Sequence, residues 1–394
     1  MKITTKFLFG FILLELFFII AAYSIWTYSK EKIITTSVLE KIQNLRHIYT
    51  TYQKQDTKVL STTLEAIVHD ENYKKIFLEN DREKLYTFGT PLFTRLKAEY
   101  GITHFYFIRP NATVFLRFHS KDIFDDLVTR ETLKHASASG KLSTGIELGK
   151  TAYALRAVSP YYLNNKLIGF VELGEEIDHF LKDLKSQTNN ELAYVVDKKN
   201  LNEADWIHMR NSTGQKNNWN DNTEYVIISQ SGDNPLLSEC FRHENIKHIE
   251  KNDNYFQLHE VNGSLLACSG LIIRNQLNEY TGLVLSMSDM TDQYKIIQNI
   301  GLSLLVPVII LALIILLAYL YITMIIDPVL KLTKVVNEIS RGNLEPTIEP
   351  SILRAKDEIG ELARAFDRTV VSLKLAIREQ ATHNASSAEK KTTE

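Results

Sequence analysis

Two stretches of this chain carry almost no polar side chain: residues 7–26 and residues 300–326. Each is long enough to cross a bilayer core of roughly 30 Å as a helix. Between them the apolar positions follow two rhythms. Ile34, Val38, Ile42, Leu45, Tyr49 and Tyr52 recur every three or four residues, and Val59, Leu60, Leu64 and Ile67 resume the stripe without Pro or Gly. That spacing predicts one amphipathic helix of about 40 residues, rising roughly 60 Å. A shorter helical patch, residues 82–100, closes at Gly101.

Alternation then takes over. "THFYFI", "TVFLRFH", "YALRAVSPYY" and "LIGFVELG" are rich in aromatic and β-branched residues and are separated by Arg109-Pro110-Asn111 and Asn164-Asn165, so they predict strands joined by turns. A helical patch at residues 125–139 interrupts them. A second set follows: "LAYVVD", "YVIISQ", "YFQLHEV", "SLLACSGLII" and "TGLVLSMS", with a helical stretch at residues 201–209 and a hairpin signal at Asn262-Gly263. The expected fold class is α+β: two tandem modules hung on one long N-terminal helix.

After the second apolar span the period returns to three and four. Val329, Leu332, Val336 and Ile339 form one seam, and Gly342 breaks it. Leu344 and Ile348 lie in a connector, and Ile359, Leu362, Phe366, Thr369 and Leu373 form a second seam. Two short parallel heptad helices joined by an extended linker suit the transmission of helix motion. These residues resemble a HAMP domain, the membrane-adjacent relay of bacterial sensor kinases and chemoreceptors. Pro328 heads the first helix, "ISRGNLEPTI" supplies Gly342 with both connector hydrophobics, and "KDEIGELARAF" puts Glu358 at the acidic opening of the second helix. The resemblance implies a parallel coiled-coil bundle, with Pro328, Gly342, Leu344, Ile348, Glu358 and Phe366 as its relay residues.

Charge narrows the field. With 45 Lys and Arg against 47 Asp and Glu, the chain of 394 residues is near neutral and has no basic run fit for nucleic acid. Lys2 and Lys6 precede the first span and Lys331, Lys334 and Arg341 follow the second, whereas Lys30 and Lys32 compete at the outer end. These charges support the orientation only weakly; the HAMP resemblance implies it more strongly, so both ends are expected in the cytoplasm of an inner-membrane, multi-pass protein, with the region between the spans in the periplasm or outside the cell. The expected boundaries are a cytoplasmic start at 1–6, a first span at 7–27, and an outer sensor at 28–298. That sensor divides into a stalk at 28–69, a distal module at 70–185 and a proximal module at 186–290. The second span at 300–326, a HAMP-like region at 327–378 and a disordered tail at 379–394 complete the order. "IIAAYS" would also suit cleavage of a signal peptide, but the length of the apolar core favours a retained anchor. Cys240 and Cys268 both fall in the outer region, where a disulfide or two buried thiols would serve equally. Asn111, Asn211 and Asn262 match a glycosylation pattern and read here as turn residues.

"HFYFIRPNATVFLRFHS", "GIELG", "LRAVSPYY" and "LIGFVELGEEI" are similar to the membrane-distal module of a double Cache sensor with an FLR-x-H strand and paired G-x-E-L-G and V-E-L-G turns. The likeness is close over residues 101–177 and looser over 191–290. It implies a PAS-like fold in each module and an extracytoplasmic small ligand. "DIFDDL" replaces the Gly-Asp commonly found after that strand, which places Phe124 and Asp125 at the pocket rim.

Alternation along "VFLRFHS" puts Phe115, Arg117 and His119 on one face, with Leu116 and Phe118 on the other. Arg156 and Glu172 interrupt strands otherwise fit for burial, and Glu147 lies between Gly145 and Gly149. Charged residues in such strands are paired or serve a site. Arg117, His119, Arg156, Glu147 and Glu172, flanked by His104 and Tyr106, could clamp a small carboxylate or amino acid through bidentate arginine contacts. Alternatively, Arg117 or Arg156 pairs with Glu147 or Glu172 as a structural salt bridge. Phe105 and Phe107 read as core.

No P-loop, His-Glu-x-x-His, Cys-x-x-Cys, nucleophile elbow or kinase loop is present, so neither catalysis, cofactor nor metal is expected. His383 lacks the surroundings of a phosphoacceptor. The expected function is that of a homodimeric, lipid-embedded receptor. It senses a small molecule outside and passes the signal through the second span to an effector on another chain. The rival expectation is a ligand-independent inhibitory subunit that pairs with full-length receptors.

Overall fold

The computed structural model describes residues 3–391, with side chains from 5 to 382. Lys2, the His383 side chain and residues 392–394 of the expected tail lie outside the described residues. The chain divides into two units, residues 31–296 and residues 1–30 with 297–394.

The first unit is ordered by α1 (Ile3–His69), whose residues from 31 onward belong here. Ile34, Val38, Ile42, Leu45 and Tyr49 are buried, as are Leu60, Leu64 and Ile67, so the stripe read from spacing is the face that packs. Two further helices, α2 (Glu71–Leu78) and α3 (Arg82–Tyr100), follow. Asp70 and Asp81 cap them by accepting backbone N–H bonds, and Gly101 ends α3 at φ 70°.

The first sheet comprises β1 (His104–Ile108), β2 (Val114–Arg117), β3 (Ser143–Leu148), β4 (Tyr153–Leu163) and β5 (Lys166–Glu176), with α4 (Glu131–Ser139) before β3. All pairings are antiparallel and the order is β2-β1-β5-β4-β3, a PAS-like arrangement. Asn164 and Asn165, both at positive φ, make the β4–β5 turn. One face of the sheet packs on the helices through aromatic rings. Phe105 stacks on Phe118 at 4.3 Å, and Phe107 meets Tyr73 at 5.8 Å and Phe77 at 5.4 Å. Gly89 on α3 lies against Phe118 so closely that a Cβ would overlap the ring.

A helix, α5 (Asp178–Thr188), leads to a second sheet. Its strands are β6 (Glu191–Asp197), β7 (Tyr225–Gln230), β8 (Phe256–Val261), β9 (Ser264–Arg274) and β10 (Tyr280–Asp289), in the equivalent order β7-β6-β10-β9-β8. Helices α6 (Glu203–Ser212), α7 (Leu237–Cys240) and α8 (His243–Lys251) lie between β6 and β8. Cys240 and Cys268 are joined as a disulfide, which links α7 to β9 inside the core formed with Leu237, Ile246, Ile249 and Leu285. The two modules meet at the β9–β10 hairpin. Tyr153 Oη donates to the Thr281 carbonyl at 3.0 Å and leaves no room for a Cβ at Gly282, while Gln276 approaches Gly145.

Among the described residues, two helices are long and apolar enough to cross a membrane, the start of α1 and α9 (Thr291–Ser340), and their apolar stretches lie in the second unit. Pro328 is half-buried inside α9, which runs through it without a break into the first seam read from the sequence. Gly342, at φ 92°, ends that run. Then come α10 (Pro350–Leu353) and α11 (Glu358–Lys391). Helix persists to Lys391 through most of the segment expected to be disordered, because Ala, Glu and Lys there offer no break in the helical pattern. Leu332, Ile348, Ile352 and Ala363 form a buried cluster with Val335, Ile359 and Phe366 against it. The inward seam of α11 is therefore Ile359, Ala363, Phe366 and Val370, one position past Leu362 and Thr369 in the sequence reading. Leu362 and Leu373 stay 51% and 42% exposed on the neighbouring face.

Candidate functional site in the first module

The candidate site is built on the sheet face opposite α2 and α3. Register places Arg117 and Glu172 beside Tyr106, Val158 beside Glu172, and His104 and Arg156 beside Gly174, so these side chains share that face. Ile108, Val114, Val158 and Phe170 continue it as a small apolar core under Leu133 and Ala136 of α4.

At its centre Glu172 is fully buried and accepts one bond from Arg156 and one from Arg130, each 2.6 Å. Burial works against the Glu172 charge, but Arg130 and Arg156 override it and hold the carboxyl below its ordinary value. Glu147 is also buried; it accepts from the Thr132 backbone N–H at 2.6 Å, and its other oxygen lies 4.0 Å from Arg130 Nε. Arg130 and Arg156 keep a buried Nε–H without a hydrogen-bond partner, and the hydroxyls of Thr132 and Ser143 are likewise unsatisfied. These donors have lost water without gaining a hydrogen bond in return.

Tyr106 lies between two guanidinium groups, with Arg117 5.3 Å and Arg130 5.1 Å from its ring centroid. Its hydroxyl is 3.5 Å from His119 Nε2, and the His104 and His119 rings meet edge to face at 4.7 Å. Burial, then the charge of Arg156, pushes His104 down to about 2; His119 keeps an open side toward solvent, yet desolvation of its ring and then Arg117 push it down to about 4. Both rings are neutral near pH 7.

Arg117 takes a different role from its expected one. It donates to both carboxylate oxygens of Asp126 and, at 2.8 Å, to the Ile123 carbonyl, strapping the loop between β2 and α4. Asp125, in the same loop, adopts φ 63° and pairs with Arg109. Phe124 is drawn to Arg82 of α3, whose guanidinium lies 3.5 Å from its ring. Phe115 also departs from simple alternation: the β1–β2 register shifts between Phe107 and Ile108, and Phe115 turns to the helix side, 5.2 Å from Phe77. "GIELG", expected as a turn, is mostly strand β3, with Glu147 projecting from it. The sheet thus gathers His104, Tyr106, Arg117, His119, Glu147, Arg156 and Glu172, and adds Arg130, which the sequence reading missed. Its only signal was a cation just before the helix "ETLKHAS".

The residues expected to act as a relay fall within the second unit. Ile348 is buried against Leu332, Leu344 is half-buried, Glu358 is exposed in the first turn of α11, and Phe366 packs on the cluster. Arg364 donates to the Leu353 and Ala355 carbonyls at 2.9 and 2.7 Å and so closes the end of α10, and Gly360 is pressed against Ala355 where a Cβ would not fit.

Residues 37–223 match the family model for the double sensory domain of two-component sensor kinases, and residues 320–374 match the HAMP domain. The chain is a membrane sensor of the double Cache and HAMP type. Solved structures similar to its double Cache region include the periplasmic domain of Vibrio cholerae LuxQ, with 10% identity over 65% of this chain and 99% of that one (TM-score 0.37). The V. cholerae histidine kinase DctB sensor domain shows 9% identity over 64% and 98% (TM-score 0.39). The ligand-binding domain of the Campylobacter jejuni chemoreceptor Tlp3, solved with 4-methylisoleucine, shows 14% identity over 65% and 92% (TM-score 0.39). No curated protein matches the chain.

Proposed function

We propose that the distal Cache module binds a small metabolite carrying a carboxylate, and that an amino acid suits the site best. The observation that carries this reading is the pair of buried, unpartnered Nε–H groups of Arg130 and Arg156, beside the unsatisfied hydroxyls of Thr132 and Ser143. A carboxylate supplies the missing acceptors, and guanidinium is the side chain best shaped for it. Glu147 and Glu172 offer acceptors for an ammonium group. Ligand entry re-partitions the Arg130–Glu172–Arg156 network, and the change passes through the second span to the HAMP domain, which acts on an effector carried by another chain. The receptor works as a homodimer in the inner membrane, with the sensor region outside the cytoplasm and no turnover of its own. The exposed Leu362 and Leu373 support the dimer, since an apolar seam on a relay helix calls for a second copy.

The test is thermal unfolding of the full chain in nanodiscs with individual amino acids and dicarboxylates. A ligand that binds only the folded state raises the melting temperature. One such class should stabilise the wild type and lose affinity by about ten- to a hundredfold in Arg130→Gln, as the loss of a charged hydrogen bond of roughly 1.5–3 kcal/mol requires. Stabilisation undiminished in a folded Arg130→Gln protein would move the ligand elsewhere, and no response to any carboxylate would favour the ligand-independent subunit.

A further inference from the structure

The helix-side face of the first sheet holds a second group of chemically capable side chains, which the proposed ligand site does not use. Asp56 on α1, Glu175 on β5 and His179 in the first turn of α5 each place one donor atom within 4.8 Å of the others. The three come from segments far apart in sequence, so no local motif announces them. Glu175 is only 3% exposed, and its Oε1 has no hydrogen-bond partner. A carboxylate oxygen stripped of water and left unpaired is costly unless something cationic meets it.

The imidazole is oriented for that purpose. His179 Nδ1 lies 3.1 Å from the Glu176 carbonyl, so this nitrogen carries a proton and donates it. The other nitrogen, Nε2, faces Asp56 Oδ2 at 3.4 Å. Metal-bound imidazoles are commonly held this way, with the remote N–H on a backbone carbonyl. Bonds of about 2.0–2.2 Å to a tetrahedral ion place neighbouring ligand atoms roughly 3.3 Å apart, which matches that separation.

We infer that Asp56, Glu175 and His179 form a binding site for one divalent cation of the zinc class, completed by water. One ring nitrogen with two carboxylate oxygens suits Zn²⁺, whereas Ca²⁺ takes six to eight oxygens. The ion ties three elements together: the stalk helix, the end of the first sheet, and the helix leading to the second. It sets how firmly the stalk is held at the junction of the modules.

The experiment uses the full chain in nanodiscs, freed of tags and stripped with chelator, titrated with Zn²⁺ by calorimetry and with Co²⁺ by visible absorption. The wild type should take up one Zn²⁺ per chain, melt at a higher temperature when loaded, and give a tetrahedral-type Co²⁺ spectrum. His179→Ala and Glu175→Gln should each weaken Zn²⁺ by about a hundredfold or more, while melting cooperatively in chelator as folded proteins. Glu175→Gln is nearly isosteric and His179 is partly exposed, so both variants are expected to fold. Absence of stoichiometric Zn²⁺ uptake by the wild type would overturn the site and leave an imidazolium–carboxylate pair. Uptake unchanged in both variants would place the ion elsewhere, and equally tight Ca²⁺ would overturn the assigned class. None of these readouts depends on the carboxylate ligand, so the two proposals stand or fall separately.

Discussion

Asp125 adopts φ 63°, in the left-handed region that glycine favours and asparagine or aspartate tolerates, within the loop that Arg117 straps through Asp126. Asp125→Gly should therefore change stability by no more than about 1 kcal/mol, since it removes only an exposed pair with Arg109. Asp125→Val should cost roughly 1–3 kcal/mol, because a β-branched side chain is strained there. Urea unfolding of the two variants measures the difference. The histidines give a pH dependence. His104 and His119 titrate lower when folded than the ordinary 6.5, so the unfolded chain binds protons that the folded one refuses. Their contribution is present above about pH 6.5 and is lost as the pH falls toward 4 and below. Acid melting curves should show that loss, and a His104→Gln, His119→Gln variant should flatten it. At this scale the sequence revealed which strand positions were charged, and so most of the side chains that the fold gathers on one face of the first sheet. It could not reveal Arg130, because a cation ahead of a helix is unremarkable until folding sets it over Tyr106. Nor could it reveal Phe115, because a bulge is invisible to strict alternation.

Among the elements, the Asn164-Asn165 and Asn262-Gly263 turns and nine of the ten strands follow from residue pattern, since aromatic and β-branched runs between turn residues leave little choice. The tenth, β3, escaped because Gly145 and Gly149 bracket it and suggest a turn. Helices α2, α5, α7 and α8 escaped because each has about ten residues or fewer of mixed polarity, and packing rather than propensity forms them. The disulfide could not be chosen over two thiols from spacing; it follows from α7 meeting β9. With its ends 28 positions apart in sequence, breaking it by Cys240→Ala with Cys268→Ala should cost roughly 3–4 kcal/mol on the loop-entropy account. Denaturant unfolding of the double variant checks this, and the melting temperature of the wild type should fall under reductant. In α11 the periodicity was legible but its inward line was not. A helix with apolar residues on adjoining faces gives two candidate seams, and contacts within one chain select Ala363 and Val370.

For the whole molecule, the second candidate seam provides a test. Single cysteines placed along Leu362, Leu373 and Ile377, all exposed, should cross-link between two copies in membranes, and Leu373→Asp should weaken that cross-linking while leaving the outer region's melting unchanged. Unchanged cross-linking would argue against this seam as the dimer face. Reporter fusions at residue 394 and near residue 200 should report opposite compartments if the proposed orientation holds. Domain order was the most legible layer, because two apolar spans and two changes of period mark it without reference to any single contact. The contact between the two outer modules was the least legible, and it bears on how such receptors can be re-engineered. By the sequence alone, exchanging the distal module for one that senses something else needs only a cut near residue 186. Yet Tyr153 of the first module rests on the Thr281 carbonyl, over a glycine at 282 that has no space for a side chain. A transplanted sensor brings its own residue to that position, so the recipient hairpin 275–282 must travel with the graft or be redrawn to fit. Chimeras that carry the hairpin should unfold in one transition, and those that leave it behind should unfold in two.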